Sequence, residues 1–196
     1  MTFDATSNPG FALFSTAIGR CAIVWNARGV AGVELPAKSD RATRDRLLRR
    51  FPDAREATPP VEVQRVISDI VALLAGEARD FRYVKLDTAK LSDLQRRVYE
   101  IARSIPAGST LAYGEIAGRL GDRLLARDVG QALGENPFPI IVPCHRVMAA
   151  GGKLGGFSAP GGARTKLRLL SIEGVQPGGP TLFDRLPLAA QPREKA

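Results

Sequence analysis

At 196 residues, with 44% hydrophobic and 24% charged side chains, the chain is long enough to bury a core and ordinary in composition for a globular protein. Its net charge of +8 favours a polyanionic partner, and the excess is concentrated in residues 89–174, with 12 basic against 7 acidic side chains. Two distant cysteines and one histidine exclude a disulfide framework and a zinc ligand set, and the absence of a signal-peptide pattern or a membrane-length apolar run points to a soluble cytoplasmic protein.

Residues 1–10 are polar and punctuated by Pro and Gly, and read as a loose N-terminus. Cys21–Trp25 and Val30–Leu35 flank Asn26-Ala27-Arg28-Gly29, the pattern of a β-hairpin with Gly29 at positive φ. Cys21 is expected to be a small core residue of that hairpin. Ser39 or Asp40 can cap an Arg-rich helix to about Phe51. Pro59-Pro60 opens a longer helix with Val63, Val66, Ile67, Ile70, Val71 and Leu74 at three- and four-residue steps, ended by Gly76. Phe81–Leu86 reads as a further strand. Residues 11–88 thus form a small α/β unit.

A second unit spans residues 89–174. Ser92 and Gln95 make a capping box for a helix ended by Pro106-Ala107-Gly108. Thr110 is expected to cap a helix through Ile116, Ala117 and Leu120, broken at Gly121-Asp122, and a third helix runs from about Leu124 to Leu133. Two short helices joined by a tight turn fit a DNA-reading helix-turn-helix, although most such pairs are plain core packing. Residues 149–162 read as a Gly/Ala-rich loop, Lys166–Ile172 as a last helix, and 175–196 as a flexible tail.

Cys144 lies in Pro143-Cys144-His145-Arg146-Val147, beside the only histidine. A thiol is nucleophilic as its thiolate, which nearby cations or a base favour. The pair fits a primed thiol, and it also fits a buried cysteine beside a surface histidine. Neighbouring side chains point to opposite faces of an extended segment, so a turn or a bridging water is needed to couple them. Without a second histidine elsewhere, a hydrolytic dyad is disfavoured.

Ile105-Pro106-Ala107-Gly108, Tyr113-Gly114-Glu115-Ile116-Ala117, Ala126-Arg127, Val129-Gly130, Asn136-Pro137 and Pro143–Val147 stand in the order and near-spacing of a known family. The chain resembles the O6-alkylguanine-DNA alkyltransferases, also called methylated-DNA–protein-cysteine methyltransferases, densely over 94–174 and more weakly over 11–88. The resemblance implies a two-domain α/β (α+β) fold. The N-terminal α/β domain would have antiparallel strands and be ribonuclease-H-like. The C-terminal domain would be mostly helical, with a winged helix-turn-helix-like element. It further implies single-use transfer of an alkyl group from guanine O6 in double-stranded DNA to Cys144, with O4-alkylthymine as a further candidate. Binding would be in the minor groove, by a monomer, with no metal and no organic cofactor.

By the same resemblance, His145 acts as base through a water with Glu173 orienting it, and Tyr113 helps rotate the nucleotide and donates a proton to guanine N3. Asn136 holds the active-site turn, and Arg127 fills the gap left by the flipped base. Ala126 and Gly130 allow close approach to the DNA backbone. Backbone carbonyls of Cys144 and Val147 meet the guanine amino group, and the backbone around Ser158 meets its oxygen. Phe157, Val147, Pro139 and Leu133 line the substrate pocket. The sequence departs from the family at Phe157, where tyrosine is usual, at the longer 157–162 loop, and at Asp128 beside Arg127. Those departures bear on alkyl-size preference and on DNA affinity. A non-enzymatic alkylated-DNA binder on the same scaffold would not need the thiol; a thiol hydrolase or redox enzyme would need turnover or a resolving cysteine.

Overall fold

The computed structural model describes residues 9–176. Residues 1–8 of the expected loose N-terminus and 177–196 of the expected tail lie outside them. Gly10 already belongs to β1 (Gly10–Thr16), which pairs antiparallel with β2 (Gly19–Asn26). Strand β2 pairs antiparallel with β3 (Gly29–Glu34), and β4 (Arg55–Glu56) joins β1 in parallel, giving the order β3-β2-β1-β4. The expected hairpin is present, and Gly29 has φ of +131°.

Alternation along β2 divides the core. Ala22 and Val24 face α1 (Asp40–Arg50), where Leu47 and Ala54 close a small cluster. Cys21, Ile23 and Trp25 face the other way, into a large core shared with α2 (Val61–Leu74) and with helices from residue 93 onwards. Ser39 caps α1, accepting from the Ala42 N–H at 3.2 Å. Cys21 is fully buried and its thiol is pushed up to about 12 by burial, so it is an inert core residue.

The expected strand at 81–86 is not formed. Asp80 accepts from the Arg82 N–H and Val84 N–H closes a turn on Phe81, so local side-chain and turn bonds win over extension. Only Leu86 bridges to Val30. The two-residue β4, which carries no hydrophobic alternation, was not foreseen.

In the second half, α3 (Asp93–Arg103) starts at the Ser92–Gln95 capping box. Thr110 caps nothing: Leu111–Ala112 form β5, which pairs in parallel with β6 (Val147–Met148), and α4 (Tyr113–Leu120) begins directly after it. Glu115 accepts from the Ala112 N–H at 2.6 Å, doing from inside the helix what Thr110 was expected to do from outside. Gly121 ends α4 in the left-handed conformation, and α5 (Ala126–Gly134) follows a short 3-10 turn capped by Asp122. The last helix, α6 (Ala163–Ile172), starts three residues earlier than its apolar pattern suggested.

Three sets of bonds tie the first half of the chain to the helical half. Val33 N–H on β3 donates to Pro137 O at 2.9 Å, just upstream of Cys144. Arg103 on α3 donates to the carbonyls of Phe81 and Val84, and Arg168 on α6 to Ala17 and Ile18. Gly29 is the tightest backbone approach in this frame, since a Cβ there would stand 2.3 Å from Lys85 O. Replacement by alanine combines that clash with a disfavoured φ. Gly29→Ala is therefore expected to lower the unfolding free energy by about 2 kcal/mol or more, read from urea midpoints at constant m-value.

Candidate active site

Cys144–Arg146 form a single 3-10 turn between Pro143 and β6. The chain reaches it through Ile140, the only non-glycine residue with positive φ (76°) among the described residues. Such a conformation costs about 1–3 kcal/mol and persists where its surroundings fix it. Here Asn136 does so: its Nδ2 donates to Val142 O at 2.9 Å and its Oδ1 accepts from the Phe138 N–H at 2.9 Å. Ile140 and Phe138 are fully buried beneath the turn.

The 3-10 turn resolves the two readings of the Cys-His pair. His145 is not at the surface but 1% exposed, with Nε2 2.9 Å from Glu173 Oε1. A carboxylate only accepts, so Nε2 carries the proton, leaving Nδ1 as the ring's basic nitrogen. Nδ1 is buried with no hydrogen-bond partner among the described residues. Arg146 grips the same carboxylate through Nε (2.8 Å) and Nη2 (2.9 Å) and donates to Ile105 O at 2.6 Å. Glu173 is the residue immediately after α6, and its side chain is 2% exposed.

Burial alone would raise the Glu173 carboxyl, but hydrogen bonds from His145 and Arg146 outweigh it and hold the group at about 2. Burial lowers His145 despite Glu173, so the imidazole is neutral and basic at neutral pH. The Cys144 thiol is raised, first by burial, against the Asn136 amide, the Lys166 charge and the backbone N–H groups of Cys144 and His145. The His145 and Arg146 side chains both bond to Glu173, and burial favours the neutral form of the Cys144 thiol.

The cation that acts on Cys144 is Lys166, which the sequence reading missed. It is fully buried on α6, donates to Val147 O at 2.5 Å and to Leu154 O, and lies 5.9 Å from the Tyr113 ring centre. Burial brings it down to about 8. It stands seven residues, about two helical turns, before Glu173, the residue that closes α6, and that spacing was the available signal.

Cys144 opens on a cavity of about 500 Å3 walled by Tyr113, Gly130, Leu133, Phe157 and Ser158. Tyr113 opens α4, and its hydroxyl is raised by burial and by the neighbouring thiol, so it stays a proton donor. Gly130 faces the Tyr113 ring, where a Cβ would sit at 3.9 Å, so it belongs to the cavity wall. Pro139 borders a second, adjoining cavity that Cys144 also lines. Val147 borders neither: it is fully buried in β6, and its carbonyl is engaged by Lys166. Arg127 is exposed near the start of α5, with Ala126 half-buried before it, and Asp128 is exposed in the same first turn, where a negative charge suits the helix N-terminus.

Linkage fixes how Glu173 shapes stability. Its folded-state value lies below that of an unfolded glutamate (~4.3), so its contribution is complete above that range and is lost as pH falls towards 2. Glu173→Gln should cost about 3 kcal/mol at neutral pH, as expected for a broken buried ion pair. The gap to the native protein should narrow as pH is lowered through the acid range, measured by urea unfolding at stepped pH.

The family model for the DNA-binding domain of 6-O-methylguanine DNA methyltransferase matches residues 93–175. A methylated-DNA–protein-cysteine methyltransferase of Methanothermobacter thermautotrophicus is 36% identical over 153 residues, covering 78% of this chain and 78% of its own length. The protein of the same name from Mycobacterium tuberculosis H37Rv is 43% identical over 135 residues, covering 68% of this chain and 79% of the relative. The fold matches the crystal structure of Mycobacterium tuberculosis OGT in complex with DNA at a TM-score of 0.66 and 31% identity, over 84% of this chain and 93% of that one. On this extent of likeness, the chain belongs to the family of methylated-DNA–protein-cysteine methyltransferases.

Proposed function

We propose that the chain repairs alkylated DNA directly, moving the alkyl group from guanine O6 onto Cys144 Sγ once per molecule. O4-alkylthymine is a further candidate for the same step. The observation that carries this reading is the single thiol opening on a small-molecule-sized cavity, with a neutral imidazole and its carboxylate buried behind it. Relatives named for this reaction, and one solved with DNA, support it.

In the step, His145 Nδ1 takes the thiol proton through a water, and the charge it gains is stabilised by Glu173. Sγ bonds to the alkyl carbon as that carbon's bond to O6 breaks. The electron pair leaves with the purine, which takes up a proton at N3 from Tyr113. Lys166 draws the Val147 and Leu154 carbonyls together beside the thiol and favours its anion. The product thioether resists water, so the protein is consumed. No metal or organic cofactor enters the scheme.

The target base must leave the duplex to reach a cavity of this kind. In this reading α4 and α5 are the helix-turn-helix of a winged element, laid in the minor groove. Arg127, exposed and without an ion-pair partner among the described residues, fills the vacated stack. Ala126 keeps the helix close to the sugar-phosphate chain, and the backbone around Ser158 meets the guanine oxygen. The catalytic part is the region 89–174, and the sheet-bearing region 11–88 is a ribonuclease-H-like N-terminal domain. The protein works as a monomer in the cytoplasm. A non-enzymatic binder would not require the Cys144 arrangement.

Incubation with duplex DNA carrying O6-methylguanine is expected to add one methyl mass to the peptide containing Cys144, in proportion to lesion and up to one per protein. Cys144→Ala should abolish transfer and retain DNA binding. Unmodified Cys144 in the presence of excess lesion would contradict the reading.

A further inference from the structure

A separate cavity of about 390 Å3 is walled by Pro143 and Arg146, which flank Cys144 and His145, but Cys144 does not line it. Its apolar walls include Phe81, Ile105, Ile140 and Ile141, and Ile140 is the residue held at positive φ. Four arginines and one acid border the same space: Arg79, Arg82, Arg103 and Arg146 against Asp80.

Three of those arginines are already neutralised. Arg79 pairs with Asp69 and Glu77, Arg82 with Asp80, and Arg146 with Glu173. Arg103 is the exception, with no carboxylate in ion-pair contact among the described residues. Its Nη2 donates to the carbonyls of Phe81 and Val84, and its Nε is buried with no hydrogen-bond partner. Its Nη1 also has no partner among the described residues. Burial disfavours the charged form, and Asp80 and Glu100, both beyond ion-pair distance, offset only part of that. A half-buried guanidinium held by neutral partners alone is costly, and an anion in the cavity removes that penalty.

The walls also define the anion. One uncompensated guanidinium balances one negative charge, and Asp80 at the same wall repels a second. The isoleucine and phenylalanine surfaces favour an apolar body, and the volume is that of a small-molecule site. A guanidinium fork matches a carboxylate in shape and in charge.

We propose that this cavity binds a small monocarboxylate with an apolar body, seated on Arg103 and apart from the cavity on which Cys144 opens. Arg103 then serves twice: Nη2 ties the 81–84 segment to α3, and the free Nη1 receives the carboxylate. The site does not depend on the alkyl-acceptor role of Cys144.

The test uses the full, unreacted chain labelled at its isoleucine methyl groups, with benzoate as probe and benzamide as its neutral match. Benzoate is expected to shift the Ile105, Ile140 and Ile141 methyl signals saturably. It should bind about tenfold more tightly than benzamide, the scale of one charge-assisted contact. Arg103→Met should weaken benzoate about tenfold and leave benzamide unchanged. Inorganic phosphate, which has no apolar body, should bind more weakly than benzoate.

Equal affinity for benzoate and benzamide overturns the proposal, and this comparison in the native protein decides it even where Arg103→Met does not fold. Absence of a saturable shift, or benzoate shifts confined to other methyl groups, also overturns it. So does benzoate affinity unmoved in folded Arg103→Met, or phosphate binding as tightly as benzoate.

Discussion

The structure depends on one buried carboxylate. Glu173 accepts from His145 and Arg146 together, and these are the two residues that follow the thiol. That shared acceptor fixes the 3-10 turn against the end of α6. It also sets the imidazole tautomer, because only Nε2–H can serve a carboxylate. Arg146 extends the clamp to the Ile105 carbonyl at the end of α3, so two helices and the turn share a single electrostatic knot.

Helix α6 also carries Lys166, whose ammonium spans the carbonyls of Val147 and Leu154. Helix α6 therefore does two jobs from residues two turns apart: it holds the turn after the thiol, and it fastens the loop that leads to Phe157 and Ser158. Desolvation dominates this neighbourhood. It raises the thiol, lowers the histidine and lowers the lysine, so each of these groups is biased towards its neutral form at rest. A proton must then be moved during reaction, not before it. That arrangement suits a protein whose nucleophile is used once and must survive unreacted until a lesion arrives.

Much of this was legible in the sequence where the cause is local. The β2–β3 hairpin followed from Gly29, and α3 followed from its Ser92–Gln95 capping box. The motif residues Cys144, His145, Asn136, Tyr113 and Glu173 lie within one region around the turn. What escaped is what depends on distant partners. Thr110 looked like a helix cap because the pairing of Leu111–Ala112 with Val147–Met148 joins segments 36 residues apart. The 81–86 segment has strand-like residues, but its turn bonds and the Arg103 contacts decide its shape. The chain neighbours of Cys144 suggested a primed thiolate, while a carboxylate 27 residues beyond Arg146 reassigns both of them.

The central claim is that Cys144 rests as a thiol and is deprotonated by His145 only during transfer. The direct measurement is the ultraviolet thiolate absorbance of the native protein against pH, taken as the difference from Cys144→Ala, in which Cys21 remains. The account predicts that the Cys144 signal appears only above the ordinary thiol range of about 8.5. A thiolate already half formed at or below neutral pH would contradict it.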